Sequence, residues 1–334
     1  MSADTSVRTR SSRSAGLLAS PPPTVAIEIA ATHVTALGLS GVSRDSVIAG
    51  YAVEPLTAGV VVPALNAANI ADEAALTATI TTALEKAGGR SKRVALVLPD
   101  TTAKVSLIRF EKIPGRVQDL DQLIRWQVRK TAPFRIEDAQ LSWQPGAGLE
   151  GGGREFIVSM ARRDVVQSFE RVCDAAGVHA GVVDIASFSQ INAQMACGLD
   201  AGDWLLVHLA SDYVTLAVVR GEDLVFFRNR AIGGEGDLAD LVHQTAMYHE
   251  DRLGGGGFAR VVLAGASLAG VEQAERLRRG IEERVGGRVE LIDVRAAAAM
   301  RDRITASASL LDTLAAPVGI LVRERAVAGT GRVA

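Results

Sequence analysis

Three short stretches combine residue types and spacing that suit a phosphate-bearing ligand. Glu28-Ile29-Ala30 and His208-Leu209-Ala210 each end an apolar run at a tight turn, Ala30-Ala31-Thr32 in one case and Ala210-Ser211-Asp212 in the other, before a second apolar run begins. The third, Gly265-Ala266-Ser267, follows Val261-Val262-Leu263-Ala264 and leads into a helical pattern at Leu268. Backbone N–H groups at such turns and at a helix start lack internal partners and favour anions. A carboxylate beside a turn would position magnesium or an attacking water. The strand, glycine-bearing turn and helix would meet the adenosine.

Other chemistries have less support. His243 and His249 are six positions apart on a helix, and His33, His179 and His208 are scattered, so no metal-ligand spacing arises. Gly-x-Ser-x-Gly does not occur, and no Ser, His and Asp are grouped locally. Cys173 and Cys197 fit neither a disulfide framework nor a metal pair and are expected to be buried thiols. Asp184 and Asp293 follow strand-like runs at loop entries, where helix N-caps are expected.

These turns must be held by strands. Residues 25–29, 34–39 and 47–53 read as three strands, followed by a helix from Asp72 to Lys86 that Gly88-Gly89 stops. A buried strand at 94–99, an edge strand at 104–110 and a helix from 117 to 131 come next. Pro133 ends that helix, because proline disfavours α geometry in the residue before it. A hairpin at 139–143 and 155–160, a helix at 163–176 and a strand at 180–185 complete the first half. The second half reads as strands at 204–210, 213–219 and 224–231, then helix 235–253, strand 260–264, helix 268–285, strand 288–293 and a last helix at 309–326. Three strands followed by alternating helix and strand, twice over, indicate α/β lobes with mixed sheets. Placing residue n beside n + 180 aligns 25–39 with 205–219, matching Ala30 to Ala210, Val34 to Val214 and Thr35 to Thr215. That points to a duplication.

Composition narrows the classes. The 334 residues carry 36 Lys and Arg against 38 Asp and Glu, a formal charge of −2, which argues against a general nucleic-acid binder. No apolar run approaches the ~18 residues of a membrane span, so a soluble, intracellular chain is expected. Residues 1–23 are rich in Ser and Arg and end in Pro21-Pro22-Pro23, which reads as a disordered tail with a stiff linker.

The stretch Val94-Ala95-Leu96-Val97-Leu98-Pro99 with 104–114, then Leu123-Ile124-Arg125-Trp126-Gln127 leading to Ala132-Pro133-Phe134, and then 182–188 and 226–234 stand in a recognisable order. In this they resemble the PilM family of type IV pilus assembly proteins, within the actin-like ATPase superfamily. The cytoplasmic domain of the type II secretion protein GspL is the next relative. The resemblance implies an α/β, two-lobed actin-like fold, a duplicated ribonuclease H-like unit with a small α+β subdomain inserted in the first lobe. The lobes would be residues 24–200, with the insert at about 98–181, and 201–330. It implies an adaptor at the cytoplasmic face of the inner membrane, held there by the N-terminal cytoplasmic peptide of a PilN-like bitopic membrane protein and by other machine components, without nucleic acid or direct lipid contact.

The same resemblance places Glu28, Ala30, Ala31, Thr32, Ala210, Ser211, Gly233, Gly234, Gly265, Ala266 and Ser267 at a cleft for ATP and magnesium. It places Arg125, Trp126, Arg129 and Phe134 at the partner groove. Three departures weaken the nucleotide site. Where the family has Asp-x-Gly in each hairpin, this chain has Glu28-Ile29-Ala30 and His208-Leu209-Ala210, and the adenosine turn keeps a single Gly265. A non-glycine residue in left-handed geometry costs roughly 1–2 kcal/mol, and His208 cannot act as a magnesium-shell carboxylate. The expectation is therefore an adaptor with a degenerate cleft and no catalytic or metal-ligating residues. The alternative is an ATPase whose nucleotide state gates assembly. For Trp126 the groove has a bland alternative that the residues alone slightly favour, packing in the core of the insert with its cationic neighbours as a solvated face. Ala30, Ala210 and Ala266 would be packing residues if the cleft is empty.

Overall fold

The computed structural model describes residues 21–41, 45–88, 91–198, 202–232, 238–300 and 306–330. The sequence-based tail at 1–23 therefore lies almost wholly outside the described residues, as do Gly233 and Gly234.

Three strands open the first lobe: β1 (Val25–Ile29), β2 (His33–Ser40) and β3 (Val47–Pro55). Helix α1 (Glu73–Ala87) follows, its N-cap Asp72 accepting a 2.9 Å bond from the Ala75 N–H, then β4 (Arg93–Leu98). The insert comprises β5 (Ala103–Phe110), α2 (Val117–Arg129), β6 (Ala139–Gly148) and β7 (Arg154–Arg162). Helix α3 (Arg163–Ala175), β8 (His179–Ile185) and α4 (Ala186–Ala196) lead to the second lobe. There β9 (Asp203–Leu209), β10 (Tyr213–Arg220) and β11 (Asp223–Ala231) precede α5 (Leu238–Leu253), β12 (Arg260–Ala264), α6 (Val271–Val285) and β13 (Val289–Leu291). A short β14 (Ala299–Met300) and the long α7 (Ala308–Thr330) end the chain.

The two main sheets are copies of each other. One runs β14-β3-β2-β1-β4-β8 and the other β11-β10-β9-β12-β13, so both share an antiparallel meander extended by two parallel strands. The duplication holds at single-residue register. Glu28 stands opposite Thr35 in one sheet and His208 opposite Thr215 in the other, an offset of 180 along the first hairpin. The turns match too: Ala30 N–H donates to the His33 carbonyl at 2.9 Å and Ala210 N–H to the Tyr213 carbonyl at 2.9 Å.

Each sheet buries both faces. Against the outer face of the first, α1 and α3 set Leu76, Ile80, Phe169 and Cys173 on Ile27, Ile29 and Leu96. In the second lobe, Val242 of α5 and Ile281 of α6 do the same on Leu205, Val207 and Val261. Burial pushes the Cys173 thiol up to about 12, as expected of an inert core cysteine. Between the lobes lie α4 and α7, whose Ile191, Ala193, Leu314, Val318 and Leu321 join both inner faces in one cluster. They cross so closely that a Cβ on Gly319 would lie 1.7 Å from the Ser189 carbonyl oxygen.

Helix α4 has no counterpart among the sequence-based elements. It buries Ser187, Ser189, Gln190 and Gln194 as well as Ile191, so it lacks the one-sided apolar stripe that identifies a helix. The capping roles expected for Asp184 and Asp293 are not found. Asp184 pairs with Arg323 of α7, and Asp293 binds Arg295 in a turn. The helix expected from 268 starts as a 3-10 turn at Ala266–Ala269, and α6 begins at Val271. The last segment also returns to the first lobe: β14 pairs with β3, and Arg325 donates to the Leu39 and Ser40 carbonyls at 2.8 and 3.0 Å.

Candidate functional site

The two hairpin turns and the Gly265 turn converge on one cavity of about 390 Å³. Glu28, Ala30, Ala31 and Thr32 line it from the first lobe, Ala210, Ser211 and Asp212 from the second, and Gly265, Asp312 and Gln190 close it. Of the sequence-derived cleft residues, Ala266 and Ser267 lie buried just behind this wall. Gly265 sits at φ +81°, and a Cβ there would fall 1.8 Å from the Leu209 carbonyl oxygen, so only glycine lets this turn meet the second hairpin.

At the base of the cavity is a buried cluster that sequence reasoning did not find. Asp100, in a 3-10 turn after β4, accepts from the Ser187 N–H at 2.9 Å, from Thr215 Oγ1 at 2.6 Å and from the Ser187 hydroxyl. His208 Nδ1 lies 2.9 Å from Ser187 Oγ and 3.4 Å from Asp100 Oδ2. The Asp100 N–H in turn donates to Tyr213 Oη at 3.2 Å. Burial pushes the Asp100 carboxyl up, but the bonds from His208 and Ser187 outweigh it and hold it below the ordinary aspartate value. Ser, His and Asp are thus together, yet Ser187 donates to the carboxylate directly and is fully enclosed. The arrangement ties α4 and β4 of one lobe to β9 and β10 of the other; it does not present a nucleophile. No local signal could reveal it, because the partners are 21 to 115 positions apart.

The Gly265 turn is already engaged. Asp312, on the first turns of α7, accepts from the Gly265 N–H at 2.5 Å and from the Ser267 N–H at 2.9 Å. Burial raises the Asp312 carboxyl, with these two N–H bonds acting the other way. Glu28 is pushed up to about 8, first by burial and then by the charges of Asp312 and Asp100. Asp212 is also raised by burial, and burial lowers His33.

The proposed groove residues lie elsewhere, on the insert. Helix α2 packs Leu120, Ile124 and Val128 onto Phe156 and Val158 of the three-stranded sheet β5-β7-β6. Trp126 points the other way. It is 58% exposed, which overturns its expected place in the core, and Lys130 Nζ sits 4.5 Å from its ring centre. Arg125 pairs with Asp121 at 2.7 Å, Arg129 is exposed, and Phe134 is half-buried. The opposite face of the insert's sheet meets the second lobe, where Val105, Leu107 and Ile157 join Phe227 and Leu224. Among the described residues no group of three His, Cys, Asp or Glu side chains could hold a metal, and no helix is long and apolar enough to cross a membrane.

Several solved structures are similar to this one. A chain of a PilM-PilN type IV pilus biogenesis complex superposes with a TM-score of 0.76 at 18% identity, covering 90% of this chain and 98% of that one. A Bacteroides thetaiotaomicron protein with an actin-like ATPase fold gives 0.48 at 10% identity, covering 80% and 90%. The cytoplasmic domain of EpsL, an inner membrane component of the Vibrio cholerae type II secretion system, gives 0.46 at 10% identity, covering 91% and 94%. None of the curated proteins compared with the chain matches it in sequence. The family model for the type IV pilus assembly protein PilM matches residues 26–252, more than half of the chain. With the duplicated sheets, the paired hairpins and the insert in place, this chain belongs to the PilM family of type IV pilus assembly proteins.

Proposed function

We propose that the protein is the cytoplasmic adaptor of a type IV pilus or related secretion machine, and that its insert docks the N-terminal cytoplasmic peptide of a PilN-like inner-membrane protein. The units are the first lobe at 24–200, the insert at about 98–181 and the second lobe from 201 to 330. The observation that carries the docking is Trp126, outward on α2 beside Lys130 and Arg129 although nothing in the insert's core requires it. Exposed Trp and Arg side chains are frequent anchors of interfaces. Phe134 and Arg125 are assigned to the same groove, and the protein reaches the membrane through its partner.

Magnesium-ATP does not fit the cleft. The N–H groups of Gly265 and Ser267 are taken by Asp312, and His208, in place of a second carboxylate, is engaged with Ser187 and Asp100. Among the described residues no Lys or Arg lines the cavity, while Glu28, Asp212 and Asp312 do. A triphosphate would bring more negative charge to that wall. The adaptor reading is therefore preferred to a nucleotide-gated ATPase.

The test is anisotropy of a labelled peptide made from about the first ten residues of a PilN-like bitopic membrane protein. Saturable binding that Trp126→Ala weakens by on the order of 1–4 kcal/mol supports the groove. Binding unchanged in Trp126→Ala and Phe134→Ala removes it.

A further inference from the structure

Strand β11 closes one side of the second lobe's sheet, and its two faces are unlike. The inner face is filled. Phe227 packs edge-on against Phe188 at 5.4 Å, Leu224 and Phe227 join Val105, Leu107 and Ile157 of the insert in one cluster, and Asn229 Nδ2 donates to Thr215 Oγ1 at 2.8 Å. The outer face carries Phe226, Arg228 and Arg230, which stand opposite Val218, Leu216 and Val214 of the outer core. Phe226 rests on Tyr248 of α5 with ring centres 5.3 Å apart, and Ile232 continues the series just past the strand. Tyr248 and Ile232 are 45% and 48% exposed. At every second residue the outer side thus reads aromatic, arginine, arginine, isoleucine.

Two further observations bear on what fits there. Among the described residues neither Arg228 nor Arg230 has an ion-pair partner, although Arg228 is half-buried. The backbone edge is also unpaired. The Ile232 N–H donates to the Asp212 carbonyl at 2.8 Å, so in this antiparallel pair Arg230, Arg228 and Phe226 turn their N–H and C=O groups toward β10. Phe227, Asn229 and Ala231 turn theirs the other way, where no strand pairs with β11 and, among the described residues, no hydrogen bond receives them. Unpaired edges invite another strand, and folds commonly blunt them with lysine or proline. Here the two charges are arginines, whose planar fork holds a carboxylate through two parallel bonds and is frequent at interfaces.

We propose that β11 is a docking edge for an extended acidic segment of another protein, added as a further strand, with two alternate carboxylates on Arg228 and Arg230 and apolar side chains beside Tyr248 and Ile232. An added strand shows alternate side chains to one face, so one acidic residue falls beside each arginine. The main chain then supplies affinity and the alternate side chains supply selectivity. Helix α2 lies on the face of the insert's sheet opposite the one that meets the second lobe, so this edge is separate from the Trp126 surface.

The experiment is anisotropy of the labelled peptide Val-Thr-Glu-Thr-Glu-Thr-Val on the full chain, read up to millimolar concentration. The expected result is saturable binding that weakens with salt, and binding at least tenfold weaker when lysines replace the glutamates. The double variant Arg228→Glu with Arg230→Glu should reverse that preference and take the lysine peptide instead. Arg230 is exposed, so Arg230→Glu alone melts like the parent and should still weaken the glutamate peptide if the double variant does not fold. Of two glutamate peptides N-methylated at the odd or at the even residues, one should lose binding and the other keep it, because only alternate N–H groups face β11. No saturable binding, equal binding of the glutamate and lysine peptides, no effect of Arg230→Glu, or equal binding of the two methylated peptides overturns the proposal. Trp126→Ala should leave this binding unchanged while weakening the PilN-like peptide, so each docking surface stands or fails by itself.

Discussion

Thr215 Oγ1, on β10 of the second lobe, donates a 2.6 Å hydrogen bond to Asp100 Oδ2, a carboxylate carried by the first lobe. With Ser187 and His208 on the same oxygen, this buried anion bridges the lobes at the base of the cleft. Bonds to a charged acceptor each contribute about 1.5–3 kcal/mol, and an isolated buried carboxylate would be far more costly than a paired one. The clasp thus supplies an interlobe tie made entirely of protein groups.

Thr215→Val tests it with almost no change of shape. The loss removes one donor from Asp100 and the acceptor of Asn229 Nδ2, now at 2.8 Å. We expect a stability loss of about 1–3 kcal/mol in urea denaturation. Asp100→Asn should cost more, because it leaves Ser187 and His208 facing an amide, and small-angle scattering should show the lobes opening. The sign with pH follows from the lowered Asp100 carboxyl. Its contribution is present above the ordinary aspartate value and is lost as pH falls through the still lower folded value, so the parent should open in acid before the Asp100→Asn variant changes further. Full stability of both variants would show that the clasp contributes nothing.

Glu28 titrates in the opposite sense. Its carboxyl is pushed from 4.5 up to about 8, chiefly by burial. Between those values the folded protein keeps a proton that the unfolded chain has lost, so stability falls as pH rises across that window. The ceiling is about 5 kcal/mol at ~1.4 kcal/mol per pH unit. Glu28→Gln holds the site neutral and should flatten the profile between pH 5 and pH 8, read as denaturation midpoints at four pH values. Parallel curves for parent and variant would contradict the half-buried, charge-crowded placement of Glu28.

The hairpins were legible because their pattern repeats at one offset, and register follows: once 28 matches 208, the cross-strand partners 35 and 215 must match too. Helix α4 was not legible, since a helix enclosed between two lobes needs no polar face and carries Ser187, Ser189 and Gln190 inward. Asp100 was hidden for a different reason. Its donors come from three elements distant in sequence, and Pro99-Asp100-Thr101 alone reads as an ordinary turn. Trp126 was misplaced because size and apolarity usually mean burial. The spacing of Leu120, Ile124 and Val128 already put it on the far side of the helix, half a turn from the buried stripe.

The crossing of α4 and α7 gives a prediction that contrasts two helical glycines. At Gly319 a methyl group would meet backbone of α4, 1.7 Å from the Ser189 oxygen, and backbone cannot move aside as a side chain can. Gly319→Ala should therefore cost at least about 1–3 kcal/mol. Gly280 lies inside α6 with nothing within 4 Å of a built Cβ. There the same change removes backbone freedom from the unfolded chain and should stabilise by about 0.5–1 kcal/mol. Equal effects at the two sites would mean that the helices are not in close contact.

On α2, opposite faces of one helix divide structure from docking. Ile124 is fully buried against Phe156 and Val158, so Ile124→Ala should cost about 2–5 kcal/mol through the cavity it leaves. Trp126, two residues on, is mostly exposed and lies beneath Lys130, so Trp126→Ala should change stability by about 0.5–1 kcal/mol. The pair must then separate in binding. Trp126→Ala should weaken the partner peptide in a protein that melts like the parent, whereas any binding loss in Ile124→Ala should track its loss of fold. A large melting shift in Trp126→Ala would return the indole to a structural role and remove the reason for its exposure.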